Sequence, residues 1–165
     1  LEISEELNKK FLNLYFLLVG DAFPGEEHLF EGLEQRILEK KFRDRIYNLG
    51  FRKDISHVLA TMDIFILPSL LPDPFPTVIL EAMAATKPVV ATAQGGALEM
   101  IEHGKTGYHI PLNEAPEAAA IIGELIKDKS QINKLGKEAK KSVLENFSLP
   151  KYGQKILNIF FLSSK

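Results

Sequence analysis

Ile64-Phe65-Ile66-Leu67-Pro68-Ser69-Leu70-Leu71-Pro72-Asp73-Pro74-Phe75-Pro76-Thr77-Val78-Ile79-Leu80-Glu81-Ala82-Met83-Ala84-Ala85-Thr86-Lys87-Pro88-Val89-Val90-Ala91-Thr92 reads as strand, loop, helix and strand in succession. Ile64 to Leu67 and Val89 to Thr92 are apolar on both faces, which suits strands of a parallel sheet covered on two sides. Thr77 to Ala85 supplies one such cover. Pro74 and Pro76 delay the helix and stiffen the loop before it.

The same alternation extends outward. Leu14 to Val19, Ile46 to Gly50 and Gly107 to Ile110 are further predicted strands, and Glu26 to Phe42, Ile55 to Met62 and Ala97 to His103 are predicted helices. This β-α-β-α order gives an α/β fold, a doubly wound, Rossmann-like parallel sheet in a single domain. Beyond Ile110 the strands stop, and Pro116 to Lys127, Gln131 to Phe147 and Pro150 to Phe161 read as extra C-terminal helices, with prolines suited to first-turn positions. The last of them carries Tyr152, Ile156, Ile159, Phe160 and Phe161, an apolar face through which the chain is expected to self-associate. Leu1 to Phe11 reads as the end of a helix with no strand before it, so a longer protein with a preceding strand and domain is expected.

The 165 residues are 45% hydrophobic and 25% charged, ordinary values for one folded domain. A formal charge of -2 and the absence of a basic stripe with interleaved aromatics argue against nucleic acid. There is no cysteine, which excludes disulfides and thiolate metal sites and fits a reducing, cytoplasmic setting. No apolar run is long enough to span a bilayer.

Several motifs fail on spacing. Gly104-Lys105-Thr106-Gly107 has the Lys-Thr ending of a P-loop, but Glu99 stands where its first glycine is required and a strand follows; it reads as a β-turn. There is no G-x-G-x-x-G and no G-x-S-x-G. His28, His57, His103 and His109 show no ligand spacing, so no metal is expected.

Right-handed crossovers bring the strand-to-helix loops to one edge of the sheet, where open α/β sheets bind ligands. Asp73 lies in one such loop, and Glu81 about one turn into the helix leaving it. Glu81 is the only charge between Pro74 and Lys87, in a helix otherwise apolar enough to be mostly buried. It must therefore reach solvent or meet a polar ligand. Asp73 between prolines also suits a turn or helix cap, and Glu81 an exposed helix position. The amides at Thr77 offer a phosphate site, and Gly95-Gly96 a second place for close backbone approach, although a plain tight turn also explains a glycine pair. Gly20-Asp21 occupies the same place after the first strand.

From Asp73 to Ile101 the chain resembles the donor-binding domain of retaining glycosyltransferases of family 4, proteins of GT-B type with two Rossmann-like domains. That family has a carboxylate, seven residues, Glu-Ala-Met-Ala, then Pro-Val-Val-Ala-Thr, Gly-Gly and a glutamate. Here these are Asp73, Glu81-Ala82-Met83-Ala84, Pro88-Val89-Val90-Ala91-Thr92, Gly95-Gly96 and Glu99. Gly104, Gly107, Tyr108, Phe16 to Asp21, Leu49-Gly50-Phe51 and Ile66-Leu67-Pro68-Ser69 extend the likeness over Leu14 to Phe161.

The resemblance implies that Asp73 contacts the donor sugar as the catalytic carboxylate and that Glu81 takes both ribose hydroxyls of the nucleotide. Backbone around Phe75, Pro76, Thr77 and Val78 would hold sugar and phosphate. Phe51 and Arg52 would lie by the base, and Gly20, Gly95 and Gly96 would line the floor. Asp73 stands where the family usually has glutamate, shorter by about 1.5 Å, and Pro76 where it often has glycine, removing an N–H.

The implied activity is transfer of a sugar from a UDP-, GDP- or ADP-sugar to a glycan, lipid-linked or small-molecule acceptor, without metal or cofactor. The acceptor domain and first strand would lie upstream, and the full protein in the cytoplasm or at the cytoplasmic face of a membrane. A nucleotide-sugar epimerase of similar fold and a non-catalytic nucleotide-binding module are the alternatives.

Overall fold

The computed structural model describes residues 1–22 and 24–162, the last two of these for their backbone only. Phe161, part of the expected apolar face, thus has a side chain outside the described residues. The chain divides into two compact units, Leu1–Ile55 and Ser56–Lys165.

In the first unit, α1 (Glu2–Asn8), β1 (Phe16–Leu18), α2 (Glu27–Leu38) and β2 (Ile46–Asn48) follow in order, with a 3₁₀ turn at Arg43–Arg45. β1 and β2 pair in parallel, Phe16 opposite Ile46 and Leu18 opposite Asn48. Ile37, Phe42 and Ile46 form the core, with Leu1, Phe16, Leu18 and Leu33 against it. α2 stops earlier than its predicted end at Phe42. Phe42 must leave the helix to meet Phe16 edge-on, ring centroids 5.8 Å apart. β1 likewise begins after Leu14, because the Arg45 guanidinium reaches back to the carbonyls of Leu12 and Leu14. The Asn48 side-chain amide nitrogen is buried without a hydrogen-bond partner among the described residues.

The second unit contains most of α3 (Ile55–Thr61), then β3 (Phe65–Leu67), α4 (Thr77–Ala84), β4 (Val89–Thr92), α5 (Ala97–Met100), β5 (Gly107–Ile110), α6 (Ala115–Lys127), α7 (Lys129–Asn146) and α8 (Leu149–Leu162). Its sheet has the order β3-β4-β5, all parallel, with Phe65 opposite Val89 and Val89 opposite Gly107. β4 and β5 occupy their predicted positions. Every residue of central β4 is buried, whereas β3 is half-buried throughout, because only the middle strand is flanked on both sides.

Ile79 and Met83 of α4, Val89 and Val90 of β4, Ile110, Ile122 and Leu125 of α6, and Leu135 of α7 form the core. α7 lies so close to the end of α4 that a Cβ at Gly136 would fall within 3.0 Å of the Thr86 carbonyl oxygen. α5 is shorter than the predicted Ala97 to His103: Ile101 is extended, and the Glu102 N–H donates to the Thr106 hydroxyl instead of continuing the helix. The Gly104 to Gly107 segment is a turn closed by the Gly104 N–H on the Gly107 carbonyl. Lys105 within it is held by Glu102, whose hydrogen bond and charge raise the lysine pKa.

On α8, Tyr152, Leu157, Ile159 and Phe160 are exposed. Among the described residues, no helix is long and apolar enough to cross a membrane.

Candidate functional site

The loops leaving β3 and β4 at the carboxyl edge of the three-stranded sheet are bonded to each other. The Gly96 N–H donates to the Asp73 carbonyl at 2.8 Å. The Gln94 side-chain amide donates to the Ser69 carbonyl at 2.7 Å, and the Thr92 hydroxyl to that of Leu67 at 3.4 Å. The glycine pair is required by this packing: a Cβ at Gly95 would come within 3.0 Å of the Asp73 carbonyl oxygen, and one at Gly96 equally close to that of Pro74. Gly95 also has φ +54, a conformation that glycine adopts without the penalty of a side chain. Gly95 and Gly96 therefore form the floor on which the Asp73 loop rests.

Asp73 is exposed, and its Oδ1 accepts the Phe75 N–H at 2.8 Å. That is the turn chemistry of an Asx motif, and in this structure it engages the Phe75 amide within the loop itself. Pro76, with no N–H, is the residue before α4. Donors for an anion at this helix thus begin with the first-turn amides of Thr77 and Val78, which have no carbonyl one turn earlier in the helix. Leu70, Leu71 and Phe75 are exposed around Asp73 and make the outer wall of the loop apolar.

α4 buries Ile79, Ala82 and Met83 and presents Thr77, Val78, Glu81 and Ala84 as an exposed stripe. The expectation that most of this helix is buried is therefore too strong. Its apolar composition serves one face, and the small Ala84 and half-exposed Val78 flank an outward Glu81. The Glu81 carboxylate is exposed and has no hydrogen-bond or ion-pair partner among the described residues. One helical turn, about 5.4 Å, separates it along the axis from the free amides at Thr77 and Val78.

Gly20, Phe51 and Arg52 belong to the first unit. There the Gly20 N–H donates to the Gly50 carbonyl at 3.0 Å, joining the carboxyl ends of β1 and β2, and Phe51 is exposed. Arg52 makes a two-pronged pair with Asp54, Nε to Oδ1 at 2.8 Å and Nη2 to Oδ2 at 2.7 Å, and this partner raises the arginine pKa further. Its fork is thus occupied by Asp54.

Gln94, which cross-braces the two loops through Ser69, carried no motif in the sequence, and Ser69 stood only at the end of the Ile66-Leu67-Pro68-Ser69 segment of the resemblance; only their places just after strands could have pointed to this bond. Among the described residues, no group of three or more histidines and carboxylates could hold a metal ion.

Comparison with known proteins gives the family. The profile of the family described as glycosyl transferases group 1 matches residues 1–142. N-acetyl-alpha-D-glucosaminyl L-malate synthase of Bacillus anthracis is 33% identical over 145 residues, covering 88% of this chain and 36% of that protein. Crystal structures of Anabaena HepE (Alr3699) in complex with UDP and with UDP-glucose superpose with TM-scores of 0.89 and 0.88 at 34% identity, over 99% of this chain and 44% of that one. The chain thus spans 36–44% of the length of these relatives. Over the greater part of its length it belongs to the glycosyl transferases group 1.

Proposed function

We propose that the chain is the donor-binding part of a retaining glycosyltransferase that uses a nucleoside diphosphate sugar, UDP-glucose being the first candidate because HepE is known in complex with it. The observation that carries this reading is the exposed, unpartnered Glu81 carboxylate, one turn from the open amides of α4 at the carboxyl edge of a parallel sheet. An ionised carboxylate with both oxygens open accepts two hydroxyl donors at once, as a ribose diol requires. The Thr77 and Val78 amides and the helix dipole favour the diphosphate, whose charge grows as the sugar departs.

Asp73, held by the Phe75 N–H and the Gly95-Gly96 floor, would stand by the sugar and offset positive charge developing at its anomeric carbon. The acceptor would come from a part of the protein outside this chain, and a glycan, a lipid-linked sugar and a small molecule all remain within the reading. No residue here calls for a metal, and the proposed step uses none.

Calorimetric titration of the chain with UDP tests the reading: saturable binding is expected, and no heat even at millimolar UDP would remove its physical content. GDP and ADP titrated in parallel assign the base.

One observation favours a second reading, a nucleotide-binding module without transferase chemistry. Asp73 spends an oxygen on its own loop, and Pro76 withdraws a donor. Asp73→Asn in the full-length protein separates the two, because asparagine keeps the Oδ1 acceptor for Phe75 and loses only the charge. Loss of charge stabilisation should lower kcat by about tenfold or more with UDP affinity little changed. Undiminished turnover would take Asp73 off the catalytic list.

A further inference from the structure

α7 buries Leu135, Gly136, Ala139 and Val143 and turns Lys129, Lys134, Lys137, Lys140 and Lys141 to solvent. At 3.6 residues per turn these five lysines occupy about 140° of the helix circumference and about 18 Å of its length. No acidic residue falls inside that arc, and Leu144, 59% exposed, lies near its middle. The two acids of the helix, Glu138 and Glu145, lie along one edge of the arc, where their charges act on Lys105. Glu145 also borders a shallow, open depression with Thr86, Lys137, Lys140, Lys141 and Leu144. Lys105 and Lys127 pair with glutamates three residues away, but none of the five forms an ion pair among the described residues.

We propose that this face of α7 docks the protein on an anionic phospholipid surface. A chain of net charge -2 that gathers five unpaired cations on one rigid helix has separated its charge, and the field of that face is positive although the molecule is not.

The chemistry of the face selects a bilayer over other polyanions. It carries lysine alone, a compact charge that follows a diffuse surface potential, and no arginine fork for individual phosphates. It has no aromatic side chain for stacking on bases, as nucleic acid would use. The exposed Leu144 amid the lysines suits the headgroup boundary, where an apolar side chain gains by entering. Because the lysines are exposed, the attraction must weaken as salt shortens the screening length below about 8 Å.

Co-sedimentation of the chain with vesicles of phosphatidylglycerol and phosphatidylcholine in equal parts, against pure phosphatidylcholine, tests the proposal. Binding is expected to the anionic vesicles only and to be lost at high salt. The triple variant Lys137→Glu/Lys140→Glu/Lys141→Glu should bind about tenfold or more weakly, and Leu144→Ala severalfold more weakly. Lys151→Glu/Lys155→Glu, similar charge reversal on α8, should bind as the parent does. Circular dichroism checks folding; should the reversals disturb it, the corresponding glutamine variants are read instead. No sedimentation of the parent chain, equal binding to neutral vesicles, undiminished binding by the triple variant, or an equal loss in the α8 variant would each overturn the proposal, as would preference for RNA over the vesicles in direct competition.

Discussion

Gly96→Val is expected to weaken UDP binding about a hundredfold, equivalent to about 2.8 kcal/mol, and to destabilise the fold by about 1–3 kcal/mol. The reason is local. A Cβ at this position would stand closer than 3.0 Å to the Pro74 carbonyl oxygen and at 3.0 Å from the Pro76 ring, and the Gly96 N–H is itself bonded to Asp73. The side chain cannot rotate out of this clash, because the Cβ is fixed by the backbone.

Relief must come from the loop, which would lift off the Gly95-Gly96 floor and carry Asp73, Phe75 and the start of α4 with it. Denaturant unfolding and UDP calorimetry read the two consequences separately. Gly153→Ala on α8 is the control, since among the described residues nothing beyond its own neighbouring backbone lies within 4 Å of the added Cβ. A Gly96→Val protein that loses stability yet keeps the parent UDP affinity would show that the Asp73 loop supports the fold and not the ligand.

This coupling shows where the sequence stops being informative. The positions of β4 and β5 are legible because each is a short stretch bounded by turn residues, apolar in β4 and carrying Tyr108 and Ile110 in β5, a purely local pattern. The ends of α2 and α5 are not, because tertiary partners decide them: Phe42 leaves its helix for Phe16, and the Thr106 hydroxyl takes the Glu102 N–H. Strand alternation foretold a parallel α/β fold, but not that the hydrogen bonds form two separate sheets, since pairing depends on residues far apart in the chain.

At the candidate site, Asp73 and the glycine pair were each visible as separate signals with bland alternatives. Their dependence on one another arises from a contact across more than twenty residues. Glu81 was conspicuous as a lone charge in an apolar helix, but whether it faced in or out depended on which stripe of α4 met the sheet. The self-bonding of Asp73 to Phe75 and of Arg52 to Asp54 also escaped the sequence reading. Residue type reveals a donor or acceptor, not whether a neighbour already uses it.

Glu81→Ala is expected to reduce UDP affinity by about 1.5–3 kcal/mol, the range for hydrogen bonds to a charged group, or roughly tenfold to more than a hundredfold. Stability should change by no more than about 0.5 kcal/mol, as for other surface substitutions away from caps and ion pairs. The asymmetry follows from the structure: the carboxylate is exposed and bonded to nothing described, so its removal breaks no contact within the fold. Glu81→Gln keeps the shape and one acceptor oxygen and should fall between parent and alanine.

The ribose assignment gains its sharpest test from the ligand side. 2′-Deoxy-UDP lacks one of the two proposed donors, so it should bind the parent protein more weakly than UDP does. In Glu81→Ala the two ligands should bind alike, because the acceptor that told them apart is gone. Equal discrimination by both proteins would mean that another group reads the ribose and that Glu81 serves only the solvent face of α4. A double-mutant cycle of this form isolates the contact from any general weakening of the site. It can be run on this chain alone, since every group the cycle compares lies on α4 or on the ligand.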